Sequence, residues 1–174
     1  SNKLLIENIK LENVKDQGKV VDIFFEIKTS KASKKSKTQK SNALDFQEKF
    51  NIELVDQDLT FDVVVYEQKQ GMLLGSSNEY LGSVTVPLST IGDREISGKW
   101  YDLEFNRKYH KKTFTVNGKI FFESKKYSGS NVDPPTGSAL ASGKPSAALS
   151  RELSNSSKVD VSGGKGGQDG SSNG

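Results

Sequence analysis

The stretch VDIFFEIK, residues 21–28, carries the plainest structural signal in the chain. Its apolar side chains recur at every second position from Val21 to Ile27, with mostly polar residues between them. This period of two is typical of a β-strand that buries one face. The same pattern recurs at residues 50–54, 59–65, 84–88 and 116–122.

Further segments bring the number of expected strands to about eight. They are the opening Lys3–Val14, the polar residues 35–42, and Lys99–Phe105, and turn signals such as Asn117-Gly118 separate the strands. Only Leu88–Ile96 has the composition of a short helix, and no internal repeat is present. Many short strands at regular spacing predict an all-β fold, an eight-stranded antiparallel β-sandwich.

Aromatic residues divide the chain of 174 residues into two parts. All nine Phe, all five Tyr and the single Trp lie in residues 1–127, which is enough for one packed core. From residue 128 onward, 24 of 47 residues are Gly, Ser or Pro, a composition that cannot offset the entropy of ordering. We therefore expect one folded domain at 1–127 and a disordered Ser/Gly-rich tail or linker at 128–174. Ser146–Leu153, after Pro145, is the one tail segment that could instead be a nascent helix or a docking motif.

Composition also excludes several classes of function. The chain has no Cys and one His, so disulfides, thiolate metal sites and His-based catalytic triads lack their material. No run is long enough to span a membrane, and no signal peptide pattern opens the chain. No nucleophile elbow or phosphate-binding glycine loop appears either, so we expect no enzyme activity and no cofactor.

Seven segments in order resemble one known family. They are LLIENIKLENV (4–14), DIFFEI (22–27), SKTQKS with FQEKFNIEL (36–54), LTFDVVVYE (59–67), EYLGSVTVPLSTI (79–91), KWYDL (99–103) and NGKIFFESKKY (117–127). Together they resemble the C2 domains, β-sandwich modules that bind lipids or protein partners. The order of the first and last strands is similar to that of phospholipase C-type members. The resemblance covers residues 3–127.

The resemblance implies where a calcium site would lie and also that it is degenerate. C2 domains hold calcium with Asp oxygens from two loops, because Ca²⁺ needs six to eight oxygen ligands. The corresponding positions here are Asp16, Asp22, Glu67, Lys69 and Glu79. A lysine ammonium among the ligands opposes a divalent cation, so we expect no metal to bind and the carboxylates to be ordinary turn residues.

A run of lysines is the strongest candidate for a binding surface. Six lysines occur between residues 28 and 40 with no acidic residue among them: Lys28, Lys31, Lys34, Lys35, Lys37 and Lys40. On a regular strand Lys31, Lys35 and Lys37 share one face, with Lys34 and Lys40 on the other face or in a loop. In C2 domains the corresponding strand often binds phosphoinositide head groups. The alternative is a solvated loop, or lysines that protect an edge strand from pairing.

Two further features are candidates for the same lipid-binding surface. A second basic group precedes the last strand and comprises Arg107, Lys108, Lys111 and Lys112, with the exposed His110 among them. The apolar loop tip of Met72, Leu73 and Leu74 corresponds to the part of C2 domains that inserts into lipid, although it could equally cap the end of the sandwich.

The sequence thus favours a calcium-independent module that binds anionic phospholipid or phosphoinositide through lysines. Such a module is cytoplasmic and peripheral to membranes, and as an isolated domain we expect it to be monomeric. The alternative is a protein-interaction or scaffold module that binds neither lipid nor calcium. Nucleic acid is not expected as a partner, because no aromatic residue interrupts the lysine run to stack bases.

Overall fold

The structure is a computed structural model, and it describes residues 2–16, 18–71 and 75–128. These residues form ten strands and one 3₁₀ turn, with no α-helix among them. The strands are β1 (Asn2–Glu12), β2 (Asp22–Lys28), β3 (Ser33–Lys35), β4 (Gln39–Lys40), β5 (Asp45–Phe46), β6 (Phe50–Glu53), β7 (Thr60–Gln70), β8 (Ser76–Pro87), β9 (Ser97–Asp102) and β10 (Lys119–Ser128). The tail and the loop tip at 72–74 lie outside the described residues.

The strands form two antiparallel sheets. In the first sheet β1 pairs with β10 on one side and with β5 and β6 on the other, and β9 lies at the edge beyond β10. In the second sheet β2 pairs with β7 on one side and with β3 and β4 on the other, and β8 lies at the edge beyond β7. The all-β antiparallel sandwich is therefore confirmed.

The number of strands differs from eight because two strand positions are interrupted. β3 and β4 follow one another along β2, and β5 and β6 follow one another along β1. Each sheet consequently has four strand positions. Between β3 and β4, Ser36 causes the interruption: its hydroxyl accepts a hydrogen bond from the Phe25 N–H at 3.0 Å and its own N–H donates to the Phe25 carbonyl at 2.9 Å.

The apolar alternation builds the core between the sheets. Ile23, Phe25 and Ile27 are fully buried there, as the period of two predicts. The Phe25 ring packs edge-on against Phe46 and Phe50, with ring centroids 4.9 and 5.6 Å apart. Phenylalanines from both sheets thus join β2 of the second sheet to β5 and β6 of the first.

Three local predictions were wrong. Leu59 is 78% exposed, because it lies in the turn before β7 and only its carbonyl is engaged, by the Leu88 N–H at 2.8 Å. The short helix at Leu88–Ile96 is only a 3₁₀ turn, Leu88–Thr90, since the backbone at Ile91 is already extended. The last strand begins at Lys119, so Val116 packs on the core from the preceding loop.

Gly82 marks a shift of register between β7 and β8. The pairing passes from Val65–Gly82 to Tyr66–Tyr80, which leaves one extra residue in β8. Gly82 has a φ of 150°, and a Cβ there would lie 2.6 Å from the Val116 side chain. Glycine at this position therefore lets the loop before β10 pack against the second sheet. Within the described residues, no helix is long and apolar enough to cross a membrane.

Candidate functional site

Lysines from three parts of the chain meet on the outer face of the second sheet. Lys35 lies opposite Glu26 and Lys40 opposite Asp22, and antiparallel partners share a face. Lys28 belongs to the same face by alternation from Glu26, and Lys108 reaches it from the segment before β10. We call this surface the lysine face and define it by Lys28, Lys35, Lys40 and Lys108.

The interruption at Ser36 determines which lysines share the face. β3 pairs with β2 as Glu26–Lys35, whereas β4 pairs as Ile23–Gln39, one residue out of step. The shift places Lys40 on the face of Lys35, not on the opposite face as simple alternation predicts. Lys34 lies opposite Ile27 and so belongs to the other side.

Lys31 and Lys37 are exposed residues beside β3. Lys31 lies in the turn before this strand, where Ala32 donates its N–H to the Thr29 hydroxyl at 3.0 Å. Lys37 lies between β3 and β4, and its N–H donates to the Glu48 carboxylate at 3.0 Å. Both residues therefore border the strand that carries Lys35.

Aromatic rings form the floor of the lysine face. Phe24 points outward from β2 yet is fully buried, because Tyr66 stacks on it at 5.2 Å and the Lys35 ammonium lies 4.6 Å from the ring centroid. Burial raises the pKa of Tyr66, and the nearby Glu26 carboxylate adds to the shift. The cation–π contact with Phe24 holds the Lys35 side chain over the sheet.

Three carboxylates on the face form ion pairs with its lysines. Their nitrogen–oxygen distances are 2.7 Å for Lys40–Asp22, 4.0 Å for Lys28–Glu26 and 3.4 Å for Lys108–Asp62. Lys31, Lys34, Lys35 and Lys37, by contrast, form no ion pair with a carboxylate of the described residues. The excess positive charge therefore lies at the β3 side.

The buried carboxylate of Asp62 anchors the second basic group. It accepts hydrogen bonds from the Tyr109 hydroxyl and from the Thr85 hydroxyl, the latter at 2.7 Å. Burial alone would raise the pKa of Asp62, but the bonds from Tyr109 and Thr85, together with Lys108, lower it below its ordinary value of 3.8. Burial and the bond to Asp62 raise the pKa of Tyr109 in turn.

This anchor brings the two basic groups of the sequence together. The ammonium groups of Lys28 and Lys108 each lie 5.5 Å from the centroid of the Tyr109 ring, although 80 residues separate them in sequence. The sequence analysis treated the two basic groups as separate, and it missed Tyr109 as the residue that joins them. Its position between Lys108 and His110 was the only signal in the sequence.

The other residues of the second basic group lie in the same segment before β10 but make different contacts. The Arg107 guanidinium donates to the Lys111 carbonyl at 3.1 Å, and Lys111 and Lys112 are exposed. His110 packs against Tyr80 and Phe114, with ring centroids 6.3 and 5.0 Å away.

At the positions where the C2 resemblance places calcium ligands, lysine ammonium groups pair with the carboxylates. Glu67 is buried and pairs with Lys15 at 2.9 Å, while Glu79 pairs with Lys69 at 2.6 Å. The bond to Glu79 raises the pKa of Lys69, and the same bond lowers the pKa of Glu79. Asp22 is engaged by Lys40, as described above, and Asp16 is exposed. No group of three potential metal-ligating side chains occurs within residues 2–16, 18–71 and 75–128.

Comparison with known proteins assigns the fold to a family. The family model for the C2 domain matches residues 2–103, more than half of the chain. A C2 domain of plant Extended Synaptotagmin 1 is similar, with a TM-score of 0.57 and 18% identity over 74% of this chain and 96% of that one. Human GIVD cytosolic phospholipase A2 is similar, with a TM-score of 0.54 and 13% identity over 74% of this chain and only 16% of that one. No curated protein sequence matches the chain significantly.

The matched range ends at Leu103, yet the last strand completes the same fold. β10 lies between β1 and β9 in the first sheet, so residues 119–128 are part of the domain. At these identities the structural neighbours support the fold alone, and the family model supports membership. The chain belongs to the C2 domain family.

Proposed function

We propose that this C2 domain attaches to anionic membranes without calcium, through the lysine face and the lysines beside β3. C2 domains commonly bind membrane lipids or proteins, and they are in general modules without catalytic activity. The observation that carries the proposal is the convergence of Lys28, Lys35, Lys40 and Lys108 on one side of one sheet.

Charge and geometry both favour an anionic ligand at this surface. Each basic residue near an anionic membrane contributes about 1 kcal/mol. The lysines without an ion pair to a carboxylate of the described residues supply this attraction, and three or four of them together give a useful affinity: Lys31, Lys34, Lys35 and Lys37. The Lys35 ammonium is held over Phe24 rather than by a carboxylate, so its charge remains available to a phosphate group. We infer that a phosphoinositide head group, which carries several phosphates, is the preferred ligand.

The ion pairs at the loop positions support the calcium independence that we propose. Lys15 and Lys69 already neutralise Glu67 and Glu79, so a calcium ion would have to displace two ammonium groups. The same neutralisation lets this end approach an anionic surface without the repulsion of bare carboxylates. We place the protein at the cytoplasmic leaflet, whose anionic lipids provide the attraction.

Co-sedimentation with vesicles tests the proposal directly. The unmodified chain should bind vesicles that contain phosphoinositide and should ignore neutral phosphatidylcholine vesicles. Chelation of calcium should leave binding unchanged, and rising salt should weaken it, since the screening length at ~0.15 M is about 8 Å. Equal binding to neutral and anionic vesicles would contradict the electrostatic account. No binding to either would leave a protein-interaction module as the better interpretation.

The loop tip at Met72–Leu74 remains part of the proposal as a second, apolar contact. A Leu73→Ser/Leu74→Ser variant removes apolar area without altering charge. If the tip inserts, the remaining binding should be weaker and more sensitive to salt. Unchanged affinity and salt dependence would restrict the contact to the lysines.

A further inference from the structure

An exposed hydroxyl group lies among the lysines of the lysine face. Ser33 lies opposite Lys28 in the pairing of β2 with β3, and Lys35 follows two residues later on the same face. The Ser33 hydroxyl donates to one oxygen of the Glu26 carboxylate at 3.0 Å, and the other oxygen lies 4.0 Å from the Lys28 ammonium. One carboxylate therefore contacts both the hydroxyl and the lysine opposite it.

The backbone of Ser33 faces the open side of β3. The Thr29 N–H donates to the Ala32 carbonyl at 2.9 Å, and hydrogen-bonded pairs alternate along an antiparallel ladder. The next pair, between Lys28 and Ser33, is therefore one without hydrogen bonds, and the N–H and C=O of Ser33 point away from β2. Among the described residues, no strand lies beyond β3. An enzyme that binds its substrate as an extended strand can reach this residue.

The charges around Ser33 single it out among its neighbours. Six residues with hydroxyl groups lie between positions 29 and 41, and Ser33 is the one with a lysine both two positions before it and two positions after it, Lys31 and Lys35. In an extended substrate, residues two positions apart lie on the same face. A protein kinase with acidic groups around its active site can therefore bind both lysines while the hydroxyl faces the phosphate donor. The hydroxyl of Ser30 is engaged by Asp58, and Ser36 is buried.

We propose that Ser33 is a phosphorylation site and that the phosphate binds Lys28 and Lys35 of its own chain. The inference rests on the proposed function, because it assigns a control to the same lysine face. In the reaction the Ser33 oxygen forms a bond to the γ-phosphorus of ATP, and the bond from that phosphorus to the oxygen that bridges the β- and γ-phosphates breaks. The hydroxyl proton passes to a carboxylate of the kinase, and ADP leaves with the bridging oxygen.

The phosphate reverses the charge balance of the face. It carries about −1.5 to −2 charges at pH 7, and it replaces the hydrogen bond from Ser33 to Glu26 with repulsion between two anions. Lys28 and Lys35 then neutralise a phosphate of their own chain and no longer one of the membrane. Each unit of charge near an anionic membrane changes affinity by about a factor of five. Phosphorylation should therefore weaken binding to anionic vesicles about 30-fold.

Treatment of the full chain with a kinase is the first test. The chain is incubated with Mg²⁺, ATP and a protein kinase that selects basic residues around its target, and mass spectrometry locates the modified positions. Phosphate should appear at Ser33, and this chain should bind phosphoinositide vesicles about 30-fold more weakly. A Ser33→Ala variant, as control, should bind like the unmodified chain and keep its affinity after the same treatment. Absence of phosphate at Ser33 would overturn the proposal. So would a chain phosphorylated at Ser33 that binds as tightly as an unmodified chain that does bind.

Titration of the phosphate tests the proposal without membranes. Two ammonium groups favour the dianion, so the ³¹P resonance of the folded chain should titrate at lower pH than that of the same chain in urea, where the second pKa is about 6. Glu26 opposes this shift, and Asp62, which lies opposite Lys28 on β7, is paired with Lys108. A Lys28→Gln variant should lose part of the difference, whereas Lys49→Gln, whose ammonium pairs on the other sheet, should keep it.

The two measurements separate the inference from the proposed function. Unmodified chains that bind no anionic vesicles would contradict the proposed function, and the ³¹P titration would then decide the phosphate contact alone. Equal titration in the folded and the unfolded chain would overturn the contact with Lys28 and Lys35, whatever the vesicles show.

Discussion

At the scale of single residues, Asp62 shows how one buried carboxylate holds a functional surface. It lies on β7, only 7% exposed, and it receives hydrogen bonds from β8 and from the segment before β10. The bond from Tyr109 keeps Lys108 beside Lys28. Loss of that bond should therefore affect stability and the arrangement of charge together.

A Tyr109→Phe variant should lose about 1.5–3 kcal/mol of stability at neutral pH, the usual range for a hydrogen bond to a charged group. Because the folded-state pKa of Asp62 lies below 3.8, this contribution is present above that pH and disappears as pH falls through the lower value. Urea unfolding at pH 7 and near pH 3 measures the change. Tyr80→Phe, whose hydroxyl bonds the Ser83 hydroxyl, the Glu104 carbonyl and the Asn106 N–H, is the matched control and should show no such pH dependence, because these three partners are uncharged. A loss for Tyr109→Phe that is the same at both pH values would contradict the assignment.

Calcium binding is the second question at this scale. Lys15 and Lys69 oppose the metal at the loop positions, so we expect no affinity tighter than about 10⁻⁴ M, the tighter end of the range for extracellular calcium modules. Isothermal calorimetry with calcium chloride measures it, with magnesium chloride as the control titration. A stoichiometric site with a micromolar dissociation constant would show that the lysines move aside.

At the scale of elements, the interruption between β3 and β4 is the feature that alternation could not predict. A run of polar residues has no apolar period to reveal a change of register. Alternation therefore placed Lys40 on the other face or in a loop, whereas it lies on the face of Lys35. Phe24 shows a related limit. Its position in the alternation is outward, as predicted, but its burial depends on Tyr66 and Lys35, which lie elsewhere in the sequence.

Ser36→Ala should destabilise the domain and weaken membrane binding together. The variant leaves the buried Phe25 N–H without its side-chain acceptor, which costs about 1–3 kcal/mol. It also removes a hydrogen bond that holds the change of register between β3 and β4. That change places Lys35 and Lys40 on one face. Thermal unfolding and vesicle co-sedimentation measure the two effects, with the exposed Thr38→Ala as control. Full stability of Ser36→Ala would show that this bond does not hold the interruption in place.

At the scale of the whole molecule, sequence reasoning predicted the sandwich and the family. The strands of the core follow the apolar period, so their faces were predicted correctly for β2 and most of β7. The meeting of Lys28 with Lys108 could not be predicted, because it depends on how the segment before β10 folds over the second sheet. That contact is tertiary and leaves no periodic mark in the sequence.

Removal of residues 129–174 should change the thermal midpoint very little. The tail is rich in Gly and Ser and contains no aromatic residue, so it offers few groups for packing. Differential scanning calorimetry of the full and truncated chains makes the comparison. A drop of more than about 4 °C, the scale of ~1 kcal/mol in a domain of this size, would show that the tail packs on the sandwich.

Charge reversal of the lysines at the β3 side tests the central claim most directly. A Lys31→Glu/Lys35→Glu/Lys37→Glu variant should fold, because the three side chains are exposed and the loss of the contact between Lys35 and Phe24 costs only about 0.5–1 kcal/mol. Its affinity for phosphoinositide vesicles should fall by at least ~3 kcal/mol, at about 1 kcal/mol for each basic residue. The matched control, Lys49→Glu/Lys119→Glu/Lys125→Glu, makes the same change of net charge away from the lysine face and should retain most of the binding. If the first variant is folded and binds these vesicles as tightly as the unmodified chain, the lysines are not the membrane contact and the proposed function is wrong.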